Sequence, residues 1–219
     1  SNAIHDYNGT INLWASSNAD IIFNDRITSE NVSSKLNINS STTTLTANGK
    51  IILNEDMRSF IGEVYLYGGE LKLETDARFF SGTVNLSSGT LNIQNNSIDN
   101  NIVIDKLTST NNVNLNIDVN LKNNSSDYFT INTVNGSINL TSINILDIST
   151  DNNEGSIKLF NFNKAPTINI LTTAYYNWTE YIFTNTTQAG VLNWTKGETK
   201  TFKEIVNINT PNKRSVSLT

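Results

Sequence analysis

The chain has no cysteine, one histidine, one methionine and two prolines in 219 residues. Absent cysteine excludes disulfides, thiolate metal sites and thiol nucleophiles. The lone histidine, His5, follows Ser1-Asn2-Ala3, which reads as the scar of a cleaved tag and marks an excised piece of a longer protein. His5 is therefore expected to be an end residue. A Ser/His/Asp triad has no histidine to use, and no GxSxG pattern is present. No apolar run approaches about 20 residues, so no segment spans a bilayer as a helix. Fifteen Lys and Arg stand against 20 Asp and Glu, for a net charge of -5. The basic patch of a nucleic-acid binder is missing.

What is abundant is asparagine (38), threonine (27) and serine (22), about two-fifths of the chain, together with isoleucine. Asn, Thr and Ile are poor in helix interiors, and the strong helix formers Ala, Met, Gln and Arg are scarce. An all-β protein is expected. The apolar residues are mostly β-branched or aromatic and regularly spaced, which argues against disorder.

The spacing is repetitive. Phe60–Leu73 (FIGEVYLYGGELKL) matches Phe80–Ile93 (FSGTVNLSSGTLNI) at an offset of 20, pairing Gly62 with Gly82, Val64 with Val84, Leu66 with Leu86, Gly69 with Gly89 and Leu71 with Leu91. Gly49, Ile51 and Leu53 extend the second half upstream. Tyr7–Leu13 (YNGTINL) repeats the first half. Within each unit apolar and polar residues alternate, the pattern of half-buried strands, separated by Gly-containing turns. Alternation continues in Val113–Leu121, Ile138–Leu140, Ile143–Ile148 and Ile157–Phe162. A fixed spacing with two strands per unit points to a parallel β-helix, in which like residues stack from coil to coil. At about 20 to 22 residues per coil, and about 4.8 Å of rise each, about ten coils are expected. Residues 4–160 form the helix in this reading. Residues 161–219 form a C-terminal cap or its continuation.

FSGTVNLSSGTLNI resembles the repeat of autotransporter passenger domains, the surface-exposed parts of type V secretion proteins of Gram-negative bacteria. Asn123–Gly136 (NNSSDYFTINTVNG) is similar to a segment near the C-terminal end of many passengers, where a Ser-Asp pair precedes an alternating strand and a Gly. The resemblance implies a right-handed, pectin-lyase-like β-helix and export to the cell surface. It also implies a C-terminal outer-membrane barrel that this chain lacks.

Chemistry is sparse. Arg58 and Arg78 stand 20 apart beside Asp56 and Asp76, so stacked coils would join them into a surface ion-pair network or a site for a cation or sugar acid. A glycosidase needs two carboxylates about 5 to 9.5 Å apart. Asp118 and Asp127 are candidates, but nothing in the sequence sets them apart. No catalytic residue, metal ligand or cofactor is assigned. The binding candidates are aromatic. With Val64 and Leu66 inward, Tyr65 and Tyr67 point outward, and the repeat places Trp14 at the position of Tyr67. Such rings stack on a host glycan, anchor a host-cell protein, or pack under a loop. Tyr175, Tyr176, Trp178, Tyr181, Phe183 and Trp194 are irregularly spaced and read as the core of a cap or C-terminal subdomain, with a carbohydrate platform as the alternative. The expected function is a non-enzymatic adhesin or surface-display rod. A ligand-free stalk and a carbohydrate-active enzyme are the alternatives.

Overall fold

The computed structural model describes residues 4, 8–40, 48–74, 81–100, 102–109, 113–149, 151–163, 167–170 and 173–199, with the backbone alone at Ser109 and Val113. Every regular element among them is a β-strand. The opening triplet, His5, Asp76, Phe80 and Arg78 lie outside the described residues, and with them the expected Phe60–Phe80 and Arg58–Arg78 stacks.

Two parallel sheets face each other. The first runs β1 (Thr10–Leu13), β3 (Lys35–Ile38), β5 (Glu63–Leu66), β7 (Thr83–Leu86), β9 (Ile102–Ser109), β12 (Phe129–Asn135) and β15 (Phe160–Phe162). The second runs β2 (Asp20–Phe23), β4 (Lys50–Leu53), β6 (Glu70–Leu73), β8 (Thr90–Asn92), β10 (Val113–Asn120), β13 (Ser137–Asp147) and β16 (Thr167–Asn169), with the short β11 (Ser125–Ser126) antiparallel on β10. Odd and even strands alternate between the sheets up to β8, so the chain winds as a solenoid. A brief third side is made by parallel bridges of Ile4 to Ile27 and Ser29 to Phe60.

The 20-residue register is present where the repeat was read. Val64 pairs with Val84, Leu66 with Leu86, Ile51 with Leu71 and Leu71 with Leu91. Period-two alternation sends these side chains inward, and all are at most 3% exposed. Elsewhere the coils are longer. Thr83 pairs with Lys106, and Phe129 with Phe160. Among the described residues each sheet advances through seven levels, not the ten expected from a uniform repeat: corner insertions lengthen the coils, β10 and β13 shift register at Leu115/Asn116 and Val119/Asn120, and the strands between 173 and 199 join an antiparallel sheet instead of adding coils.

The solenoid closes on an antiparallel sheet of β14 (Glu154–Lys158), β19 (Val191–Thr199), β18 (Thr179–Asn185) and β17 (Thr173–Tyr176). The two parts interleave around residue 160: β14 precedes it but joins the antiparallel sheet, whereas β15 and β16 continue the solenoid. Tyr181, Phe183 and Trp194 are buried in this end, Tyr175 and Tyr176 are half-buried, and Trp178 is exposed.

Candidate functional site

Tyr65 and Tyr67 sit at the end of β5, where burial of Val64 and Leu66 turns the intervening residues to the outer face. Their rings lie 5.9 Å apart and within 14° of parallel. The two differ in surroundings. Tyr65 is half-buried, and its phenol donates to Glu63 Oε2 at 2.7 Å. Lys35 Nζ lies 5.7 Å from the Tyr65 ring centroid and 3.8 Å from Glu63 Oε2. The Glu63 carboxylate favours the neutral phenol and burial adds to this, pushing the Tyr65 pKa up to about 12. Tyr65 is thus part of a local network, while Tyr67 is 38% exposed.

Trp14 is equally open at 39%, with its indole N–H donating to the Ser40 carbonyl at 2.8 Å. Leu13 pairs with Ile38, and Ile38 with Leu66. Trp14, Asn39 and Tyr67 therefore occupy one corner position on three successive coils. The middle residue has no outward aromatic: Asn39 takes a left-handed φ of 53° and is buried. Its side chain joins the coils instead. Oδ1 accepts from Ala15 N–H at 2.9 Å, and Nδ2 donates to the Gly49 and Gly68 carbonyls at 2.9 and 3.0 Å. The two ring-bearing positions are thus two coil rises, about 10 Å, apart along the solenoid axis.

Across the same corner, beyond Gly68 and Gly69, a shallow groove of about 320 Å³ is lined by Asn18, Asp20, Lys50, Glu70 and Thr90. Lys50 Nζ stands 3.3 Å from Glu70 Oε1, which also accepts from Asn92 Nδ2 at 2.9 Å. An aromatic ridge beside a polar groove can stack on the apolar face of a pyranose and hydrogen-bond its hydroxyls.

The other polar feature is internal, and the sequence did not single it out. Asp118 and Asp127 are fully buried. Asp127 Oδ1 accepts from Asp99 N–H at 2.9 Å and Oδ2 from Asp118 N–H at 2.6 Å. Asp118 Oδ2 accepts from Asn95 and Asn96 N–H, and Oδ1 from Asn144 Nδ2 at 2.5 Å. Burial raises both carboxyls, Asp127 to about 8, against the opposing pull of these donors. With each oxygen engaged and no exposed surface, this pair ties turns to strands and has no access to a glycosidic bond. The Ser-Asp element Ser126-Asp127 is the one signal that marked the place.

At the Asp56 corner, Arg58 Nη2 donates to Asp56 Oδ2 at 2.5 Å and Nε to Oδ1 at 3.1 Å, a bidentate pair that holds the carboxyl below the usual range, while Glu55 reaches Arg26 at 3.7 Å. These are exposed ion pairs of small energetic weight. Among the described residues no cluster of His, Cys, Asp and Glu is arranged to hold a metal ion. Comparison with known protein families, with curated proteins and with solved structures finds no match for this chain.

Proposed function

We propose that this chain is part of a bacterial surface passenger of the autotransporter kind, a rod that binds a host glycan or host-cell protein without catalysis. The observation that carries the reading is the corner bearing Trp14 and Tyr67, two exposed aromatic rings in register on an otherwise Asn- and Thr-rich rod, beside the groove of Asp20, Lys50 and Glu70. Tyr65 supports Tyr67 through ring stacking rather than offering a free ring of its own. The segment resemblance around residues 60–93 supports placing the protein outside the cell, downstream of which a membrane barrel would belong to the full-length chain.

A glycan and matrix-protein array with the parent and the Trp14→Ala/Tyr67→Ala variant tests this. Binding by the parent and at least about tenfold weaker binding by the variant is expected, since burying aromatic hot spots contributes about 2 kcal/mol or more. Equal binding by both removes the corner from consideration. A second reading, a stalk without its own ligand, is favoured by the coils through Lys50, Glu70 and Thr90, which advance by 20 residues with no inserted loop. Absence of any array signal from the parent would leave the stalk. Depolymerisation of a polysaccharide by the parent would instead favour an enzyme.

A further inference from the structure

The floor of the corner groove has almost no side chains. Ala19, Gly49 and Gly69 hold one position on three successive coils, each a residue ahead of the paired Asp20, Lys50 and Glu70. Gly89 extends this column, one residue before Thr90, which pairs with Glu70. Asp20, Lys50, Glu70 and Thr90 stand beside the floor as a wall parallel to the rod axis, three coil rises or about 14 Å long. A groove of this shape admits a linear chain lying along the rod.

The charges around the groove differ in their freedom. Each lysine flanking the corner is already held by a carboxylate. Lys50 Nζ lies 3.3 Å from Glu70, Lys72 Nζ 2.5 Å from Glu74, and Lys35 Nζ 3.8 Å from Glu63. Although Lys50 is its strand neighbour, Asp20 is exposed and its carboxylate has no hydrogen bond or ion pair among the described residues. No arginine lines the groove. The wall thus presents one free acceptor and no unpaired cation among the described residues, on a chain of net charge -5. Sugar hydroxyls are donors, and a carboxylate can accept from two of them at once. A sialic acid, uronate or sulfate would bring a like charge beside Asp20 and find no cation left to pair with.

We infer that the groove selects neutral glycans and rejects acidic ones, with Asp20 as the specificity-determining residue. The inference rests on the reading of the Trp14 and Tyr67 corner as a binding surface. A neutral pyranose chain lies along the floor of Ala19, Gly49 and Gly69 beside the aromatic ridge. Its hydroxyls donate to Asp20 and Glu70, while Lys50 and Thr90 donate back.

The test measures binding of the full chain to matched glycan pairs, a neutral oligosaccharide and the same oligosaccharide carrying a sialic acid or a sulfate, at low and high salt. The neutral member is expected to bind at least about fivefold more tightly at low salt, and the gap narrows at high salt because the repulsion is screened. Asp20→Asn narrows the gap at low salt too, by admitting the acidic member. An acidic member that binds as well as the neutral one, or better, overturns the inference and leaves the corner reading in place. So does a gap that neither salt nor Asp20→Asn changes. Binding to matrix proteins and to no glycan has the same effect. Neutral binding that survives Trp14→Ala/Tyr67→Ala puts the glycan elsewhere and overturns both, as does a parent that binds neither glycan nor protein. Should Asp20→Asn fail to fold, the salt dependence of the parent decides alone.

Discussion

Asp118 and Asp127 bind each other's backbone: Asp118 N–H donates to Asp127 Oδ2 at 2.6 Å, and Asp127 N–H donates to the Asp118 carbonyl at 3.0 Å. The pair closes the hairpin of β10 and β11 and reaches the preceding turn through Asp99, Asn95 and Asn96. It is a fastening point between coils where the 20-residue repeat gives way to longer ones.

Its titration sets a pH dependence. An unfolded Asp ionises near 3.9, whereas folded Asp127 holds its proton up to about 8 and Asp118 is shifted the same way. Between these values the folded state binds the additional proton, so stability is greatest at the acid side and falls as pH rises toward 8. Asp56 acts oppositely below about pH 4, where protonation removes its Arg58 pairing. The melting temperature at pH 5 is expected to exceed that at pH 8 by several degrees, in line with a few kcal/mol in a chain of this size. Asp127→Asn should flatten the slope. Equal melting of the parent at both values would show that the backbone donors outweigh burial and keep the carboxylate charged.

Asn39 is the clearest buried amide to perturb. Replacing it by Ala leaves Ala15 N–H and the Gly49 and Gly68 carbonyls without their side-chain partner, a loss of about 3 kcal/mol with some added strain at the positive φ. Asn39→Asp keeps the acceptor for Ala15 but sets a carboxylate against two carbonyls, so it should destabilise at least as much. Thermal melts of the two variants check the order. If Asn39→Asp melts above Asn39→Ala, the amide orientation is reversed.

Gly69 packs under the same corner. It has a φ of 69°, and a Cβ there would stand 2.2 Å from the Gly49 carbonyl oxygen and 2.6 Å from Asn39 Nδ2. Gly69→Ala is expected to lower stability by about 2 to 4 kcal/mol, roughly 5 to 15 °C in melting temperature. Gly197→Ala is the control. Its Cβ would first meet Glu180 Oε2 at 3.1 Å, the movable end of a side chain, and it should change stability by less than about 1 kcal/mol. Similar melting of the two variants would mean that the coils can separate locally at Gly69.

The strands and their inward residues were legible because period-two alternation at a constant offset leaves one way to stack Val64 on Val84 and Leu71 on Leu91. Trp14 and Tyr67 could be aligned for the same reason, since their position follows from the apolar pairs beside them. The number of coils was not legible. Insertions at corners stretch the spacing from Thr83 to Lys106 and from Phe129 to Phe160, and the strands between 173 and 199 leave the solenoid for an antiparallel sheet, so a count that spreads equal coils over the whole chain overshoots.

Burial of polar groups also lay beyond the sequence. Asn39 is one of 38 asparagines with no pattern to distinguish it, and Asp127, one of 20 acids, carries only the Ser-Asp element, which does not show that it is buried. They are interior because backbone N–H and C=O groups from segments far apart in the chain converge on them once the coils stack. The difference between half-buried Tyr65 and open Tyr67 arises likewise from Lys35, on the neighbouring strand of the coil before. Alternating hydrophobicity, a local property, determined which face of each strand turns inward. The partners that meet each polar group were decided by tertiary structure, because they depend on contacts between residues that the chain order keeps apart.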